Sequence, residues 1–222
     1  VVYQRAELPG ADLLAILERD FEGAEAVRRR LARCPRYGND LPEVDDLAAE
    51  VAEHVFREFG RYEPWRGGRF LPSCIMFTTY AREGLKVGAT PDGRRAGEPL
   101  GDSIGPVAGR DQRGPTAMIK SVTHLPLRQA LGTPVLNVRF SKSLFDSGKG
   151  RKSVRDLIRT YFDLGGLQVQ LSMVDTAQLR EARSHPERHR DLMVRVTGYS
   201  AAFVDMTRSA QDEIIHRTAH SF

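Results

Sequence analysis

Residues 87–115 are too rich in glycine and proline to form regular secondary structure. The run Val87-Gly-Ala-Thr-Pro-Asp-Gly-Arg-Arg-Ala-Gly-Glu-Pro-Leu-Gly-Asp-Ser-Ile-Gly-Pro-Val-Ala-Gly-Arg-Asp-Gln-Arg-Gly-Pro115 holds seven of the chain's 20 glycines and four of its 12 prolines. Proline fixes φ and lacks an N–H, and glycine loses the most backbone entropy on ordering, so neither sustains a helix or a central strand at this density. A loop this long inside a folded chain is either functional or linker-like. It also divides the sequence, with helical signals dominating before it and helical and β-prone signals alternating after it.

Ahead of the loop, Leu13, Leu14, Ile16, Leu17 and Phe21 recur at helical spacing, with Asp12 placed to suit a helix N-terminus. Gly23 ends that segment, and an arginine-rich second helix is expected over Ala24–Arg33. Cys34-Pro-Arg-Tyr-Gly-Asn-Asp40 reads as a loop, in which Asn39 and Asp40 serve as turn formers or, less in keeping with their chemistry, as ligands. Pro42 and the carboxylates of 43–46 open a third helix that runs to Phe59. Gly60–Gly68 is a loop with the only tryptophan, Trp65, and Arg69–Tyr80 is expected to be a buried strand containing Cys74.

Beyond the loop, Thr116–Val122 and Pro134–Phe140 are β-prone, the second alternating Asn137 and Arg139 with Val138 and Phe140. Leu125–Leu131 reads as a short helix or turn. Asp146-Ser-Gly-Lys-Gly-Arg-Lys152 is basic and glycine-rich but lacks the full phosphate-loop pattern, so it reads as a solvated loop before a helix at Ser153–Leu164. Gly165–Asp175 alternates Gln168 and Gln170 with apolar residues, as a strand does, and Thr176–His189 is helical. Apolar residues then flank a lone Gly198 in Asp191–Asp205, the pattern of a buried strand entering a tight turn, and an amphipathic segment follows from Thr207 to Thr218. Strands alternating with helices place the chain in the α/β class.

Composition narrows the function. The 222 residues suffice for one large domain or two small ones, and 41% hydrophobic with 28% charged residues suits a soluble chain. A net charge of +4 without basic runs interleaved with aromatics argues against nucleic acid. No apolar run reaches membrane-spanning length and no signal peptide is visible, so a cytoplasmic location is expected. Cys34 and Cys74 are too few for a disulfide framework or a zinc site. The pairs His185/His189 and His216/His220 have helical spacing for a metal but no nearby third ligand, and they are expected to be surface histidines. The start without methionine reads as that of a truncated or excised piece.

Three stretches resemble one family. His185-Pro-Glu-Arg-His-Arg-Asp-Leu-Met-Val-Arg-Val-Thr-Gly-Tyr-Ser200 is similar to the C-terminal signature of the glycyl radical enzymes, the pyruvate formate-lyase and glycerol or diol dehydratase relatives. Ala89-Thr-Pro-Asp-Gly-Arg-Arg-Ala-Gly-Glu-Pro-Leu100 resembles their glycine-rich loop nearly letter for letter, with Gly109-Arg-Asp111 kept and Gly105-Pro106 where Ser-Pro is usual. Tyr37-Gly-Asn-Asp40 matches the turn that follows a helix pair in the family.

The resemblance implies that Gly198 carries a stored backbone radical. Loss of its Cα hydrogen leaves an unpaired electron shared between a donating amide nitrogen and a withdrawing carbonyl, which requires a planar Cα that a Cβ would crowd. The apolar Val194, Val196, Ala201, Ala202, Phe203 and Val204 suit a buried spin. By the same resemblance the radical is installed by a radical S-adenosylmethionine activating enzyme, which holds the iron–sulfur cluster and the S-adenosylmethionine; no cofactor-binding residue or metal ligand is expected on this chain. The radical would pass to a cysteine in a Cys-x-Glu pair. Cys34 is followed by Pro-Arg and Cys74 by Ile-Met, so that cysteine is expected on a barrel half missing from this chain.

The implied fold is the C-terminal part of a ten-stranded α/β barrel, with helices outside and the glycyl radical loop inserted. Residues 1–85 would come from the barrel and 86–222 would form the glycine radical domain. The implied function is that of a lyase, dehydratase or formate acetyltransferase of anaerobic metabolism, homodimeric when complete and inactive as this chain alone. Leu171-Ser172, where the family usually has Phe-Asn, bears on the substrate. Two alternatives stand beside it: a stand-alone radical-bearing subunit that complements a separate or damaged barrel, and a helical interaction protein in which the motif is coincidence.

Overall fold

The structure, a computed structural model, describes residues 6–76, 79–195 and 200–216. In chain order these form α1 (Gly10–Glu18), α2 (Glu25–Ala32), α3 (Pro42–Phe59), β1 (Ser73–Cys74), α4 (Thr79–Gly84), α5 (Gly114–His124), β2 (Thr133–Pro134), β3 (Leu136–Ser141), α6 (Gly148–Asp163), β4 (Val169–Val174), α7 (Thr176–Ser184), β5 (Met193–Arg195), β6 (Ser200–Ala202) and α8 (Arg208–His216). The α/β class holds. The six strands make three two-stranded sheets: β1–β2 and β3–β4 are parallel and β5–β6 is antiparallel. Among the described residues these sheets do not close a barrel.

Two compact units divide the chain. The first joins Val1–Pro35 to Thr79–Leu100. Its core is Leu13, Ile16, Phe21 and Leu31, ringed by Leu8, Leu17, Ala24, Val27 and Ala89. Its loop is knitted by arginine. The Arg94 guanidinium, 5% exposed, donates to the carbonyls of Val87 (3.1 Å), Gly88 (2.6 Å), Arg95 (2.9 Å) and Glu98 (2.7 Å). Arg95 reaches the Asp20 carbonyl at 2.8 Å and pairs with Glu25, while Ala96 N–H donates to Asp20 at 2.8 Å. Gly93 turns with φ +87°, and a Cβ there would stand 3.1 Å from the Arg28 carbonyl. The glycine-rich motif therefore encodes much of its own shape, Asp92, Arg94, Arg95 and Glu98 each meeting a backbone amide or carbonyl.

The second unit comprises Arg36–Thr78 and Gly101–Phe222. Its main core gathers Ile104 from the loop before α5, Leu127 from the turn after it, and Met118, Ile119, Val122, Leu136, Val138, Phe140, Val154, Leu157 and Tyr161 from α5, β3 and α6. A smaller core of Leu179, Ala182, Val194, Phe203, Ile214 and Ile215 lies among α7, β5, the turn after β6 and α8. The Tyr-Gly-Asn-Asp turn is a hub. Asn39 Nδ2 donates to the carbonyls of Arg36 (3.1 Å) and Arg110 (2.8 Å), and its Oδ1 accepts from the amides of Gln112 (2.8 Å) and Arg113 (3.1 Å). Gly38 has φ +94°, and a Cβ there would lie 2.6 Å from Pro106, so the turn needs glycine twice over.

Four local expectations change. Thr116–Val122 is helical, part of α5, because Pro115 sits in its first turn and Pro115, Ala117, Met118, Ile119, Ser121 and Val122 are all buried. The buried strand expected over Arg69–Tyr80 shrinks to Ser73–Cys74, paired with Thr133 and Pro134, and Tyr80 belongs to α4. The basic loop at 146–152 is already helix from Gly148, capped by Ser147, whose hydroxyl accepts from Gly150 N at 2.9 Å. The helix expected over Thr176–His189 ends at Ser184, and Pro186–Arg188 form a separate turn of 3₁₀ helix.

Helix α3 has two faces of different fate. Asp45 and Phe56 are buried, while Leu47, Val51, Val55 and Phe59, spaced four apart, stay exposed. An apolar stripe of this length on a helix has no use in water.

Candidate functional site

Val196 to Tyr199 join β5 to β6. These four residues, Gly198 and Val196 among them, lie outside the described residues, and β5 and β6 hold their two ends. The strands pair Met193 with Ala202, Val194 with Ala201 and Arg195 with Ser200, and Phe203 N–H extends the pairing to the Leu192 carbonyl at 2.8 Å. Directly opposed residues in such a pair stand about 4.5–5.5 Å apart. The chain therefore returns to the neighbour of Arg195 after four residues.

The frame stands on the smaller core. Val194 and Phe203 are buried against Leu179 and Ala182 of α7 and Ile214 and Ile215 of α8, and Ala201, Ala202 and Val204 are half-buried. Each large apolar side chain buried in this way contributes about 1.5–3 kcal/mol. Polar links join the same elements. Asp175 caps α7 by accepting from Ala177 N at 2.9 Å and Gln178 N at 3.2 Å. Arg183 of α7 clamps Asp212 of α8 through both oxygens, and Arg208 donates to the Arg183 carbonyl at 3.1 Å. Gln211, 5% exposed, donates its amide to the Phe203 carbonyl at 2.9 Å, tying α8 to the turn that leaves β6.

A second feature is the face of β3–β4 turned away from the main core. Successive side chains on a strand point to opposite faces. Leu136, Val138 and Phe140 of β3 enter the main core with Val169 and Leu171 of β4. The alternate positions are polar and in register, Asn137 with Gln170 and Arg139 with Ser172. Parallel strands are ordinarily apolar on both faces because both are covered. Asn137 donates to Asp102 at 3.0 Å, and the other Asp102 oxygen accepts from Ser103 at 2.9 Å. Arg139 is 4% exposed and donates to the Ile214 carbonyl of α8. The alternation of Asn137 and Arg139 was visible in the sequence as a strand pattern, but nothing there pointed to their partners 35 residues before and 75 residues after.

The other candidates are absorbed by structure. Asn39 is saturated by backbone groups, and Asp40 pairs with Lys120 at 2.8 Å with φ +53°, as a turn former does. Cys34 Sγ lies 3.7 Å from the Arg30 carbonyl. Cys74 is half-buried against the main core, and burial pushes its thiol up, away from the thiolate. Tyr37 donates to the Ile104 carbonyl at 3.0 Å, and burial, reinforced by the Asp45 carboxylate, raises its phenol far above the ordinary value. His185 faces Glu187 at 3.7 Å and His189, half-buried, faces Glu181 at 3.5 Å. The His216 side chain and His220 are not among those described. Among the described residues no three His, Cys, Asp or Glu side chains are grouped to hold a metal, and no helix is long and apolar enough to cross a membrane.

Known proteins place this architecture. Residues 100–204 match the family described as glycine radical, and residues 1–84 match that described as pyruvate formate lyase-like. Trans-4-hydroxy-L-proline dehydratase of Clostridioides difficile is 35% identical over 100% of this chain and 28% of its own length. Isethionate sulfite-lyase of Bilophila wadsworthia is 33% identical over 99% of this chain and 27% of its own. The glycerol-bound structure of the B12-independent glycerol dehydratase from Clostridium butyricum superposes with a TM-score of 0.96 at 38% identity, covering all of this chain and 28% of that one. The chain thus spans little more than a quarter of the length of these relatives.

Proposed function

This chain belongs to the glycyl radical enzymes, and from that premise we propose that it is the C-terminal portion of such an enzyme and stores a backbone radical on Gly198. The observation that carries the proposal is the hairpin. The Arg195–Tyr199 motif falls on the connection of a two-stranded frame whose ends are paired and which rests on its own apolar core. We assign residues 86–222 as the glycine radical domain and residues 1–85 to the barrel, a division supported by the two family matches.

The proposed cycle conserves hydrogen. An activating enzyme holding an iron–sulfur cluster and S-adenosylmethionine would supply a 5′-deoxyadenosyl radical, one electron from the cluster releasing methionine, and that radical would take one Cα hydrogen from Gly198 to give 5′-deoxyadenosine and the glycyl radical. The glycyl radical then takes the hydrogen of a cysteine thiol outside this chain, restoring glycine and forming a thiyl radical. That thiyl radical would abstract the substrate hydrogen, the thiol so formed would return it to the product radical, and the re-formed thiyl would take a Cα hydrogen back from Gly198 to restore the glycyl radical. Neither Cys34 nor Cys74 fits the relay, because neither precedes x-Glu.

Dehydration or a related lyase reaction on a small polar compound is the activity we assign to the complete enzyme, because the relatives that match the whole chain are dehydratases and a sulfite-lyase; formate acetyltransferase activity has less support. The polar face of β3–β4 would form part of the wall of a ten-stranded barrel. The exposed stripe of α3 supports a larger body around this chain, either the cysteine-bearing barrel half or the second subunit of a homodimer. A stand-alone radical subunit is less favoured, since α1 to α3 go well beyond a radical hairpin and its frame. We propose an anaerobic setting, because oxygen destroys such a radical, and a cytoplasmic one as the default for a chain with two free cysteines.

The test is anaerobic incubation with activating enzyme and S-adenosylmethionine, read by electron paramagnetic resonance and by turnover of glycerol, trans-4-hydroxy-L-proline, isethionate, choline, and pyruvate with coenzyme A. The chain alone should take up the radical and turn over none of them. Turnover by the chain alone would overturn the assignment and bring Cys74 back as a relay.

A further inference from the structure

We propose that Arg139 is a positioning residue for the glycyl hairpin, a buried cation on a rigid strand that keeps α8 seated through the Ile214 carbonyl, and with it the β5–β6 frame that brackets Gly198. The inference rests on the reading of Gly198 as the radical site.

The argument begins with the strand. Arg139 is flanked by Val138 and Phe140, both in the main core, and its backbone is fixed by pairing with Ser172 of β4. Its side chain leaves by the opposite face and ends on the Ile214 carbonyl. That carbonyl belongs to α8, and the side chain of the same residue is fully buried in the smaller core. A guanidinium is the side chain best suited to such a place, because it is permanently charged and less strongly hydrated than an ammonium.

From Ile214 the connection reaches the hairpin by two short routes. The Ile214 side chain is fully buried beside Val194 of β5 and Phe203 after β6. One turn earlier on α8, Gln211 holds the Phe203 carbonyl. Displacement of α8 therefore moves both strand ends that bracket residues 196–199.

The experiment uses the complete enzyme carrying this chain, with Arg139→Met and Arg139→Lys variants. Hydrogen exchange is followed over residues 200–216 and, as a reference, over α5 and α6. In the Met variant, exchange over 200–216 should quicken about tenfold while the reference helices keep wild-type protection. Under activating enzyme and S-adenosylmethionine the glycyl signal should form several-fold faster, and decay in air should accelerate by a similar factor. The Lys variant, with charge but no fork, should restore most of the protection. If the Met variant does not fold, the Lys variant carries the test, with exchange over 200–216 about two- to fivefold faster than wild type.

Unchanged exchange over 200–216 in the folded Met variant, or in the Lys variant where only that one folds, overturns the inference. So does loss of protection spread equally over α5 and α6, which would make Arg139 a general packing residue. If the wild-type enzyme forms no glycyl radical, the reading of Gly198 fails, while the exchange data still decide whether Arg139 holds α8.

Discussion

The loop of residues 87–100 and the hairpin that brackets residues 196–199 both stand out in the sequence as glycine motifs, yet they are built differently. In the loop, the motif residues fold the motif: Arg94 closes four carbonyls, and Gly93 takes a φ closed to side chains. In the hairpin, support comes from outside the motif, from Leu179, Ala182, Val194, Phe203, Ile214 and Ile215 and from the polar links of Arg183, Gln211 and Arg139. A loop that spends its own side chains on its own backbone has a shape and little left for chemistry. A connection held by its frame leaves its residues available to react, and lets the frame move as one piece.

The sharpest way to break this contrast is to damage each support and see how far the damage travels. Phe203→Ala removes a fully buried ring from the small core and should cost about 3–5 kcal/mol. Protection from hydrogen exchange should fall across 176–216 together, with residues 87–100 unaffected. Arg94→Lys has three donors for four carbonyls, so at least one loses its partner, and the change should cost about 1–3 kcal/mol by urea denaturation. Its effect on exchange should stay within 79–100 and the helices that pack there. If it spread through the hairpin, the idea of a self-contained loop would fail.

Gly93→Ala places a side chain at φ +87° and 3.1 Å from the Arg28 carbonyl, and should cost about 1–2 kcal/mol, again locally. The smallest effect starts in the main core and serves as a control. The raised phenol of Tyr37 means the folded chain keeps a proton that the unfolded chain releases above about pH 10. Stability is therefore complete below that pH and falls above it, by about 0.8 kcal/mol at pH 10.5, and less so in Tyr37→Phe. Urea midpoints at pH 8 and 10.5 check this, and the loss should favour neither loop nor hairpin.

Much of the fold was legible where the chain is half-exposed. Helix α1 shows its apolar spacing because one face meets water, and α3 begins at the Pro42 and carboxylate signal expected of it. Helix α5 was misread as β-prone because burial on most sides removes the polar positions that reveal a helical period. The small glycines of 148 and 150 hid the start of α6, although a Cβ at Gly150 would collide with the Leu144 carbonyl. The site was legible in its motif and not in its supports. Asn39, Arg139 and Gln211 act through backbone groups, and Asn39 and Arg139 find theirs more than 70 residues away, where a carbonyl carries no sequence signature.

The central claim, that Gly198 is where the radical resides, is tested most directly by oxygen. The activated protein should show an organic radical that air destroys, with cleavage of the backbone at Gly198 and release of a short C-terminal peptide identified by mass spectrometry. Gly198→Ala should give neither signal nor cleavage while retaining the hydrogen-exchange protection of 176–195 and 200–216. A radical-bearing sample that stays full length in air, or is cut at another residue, would contradict the account.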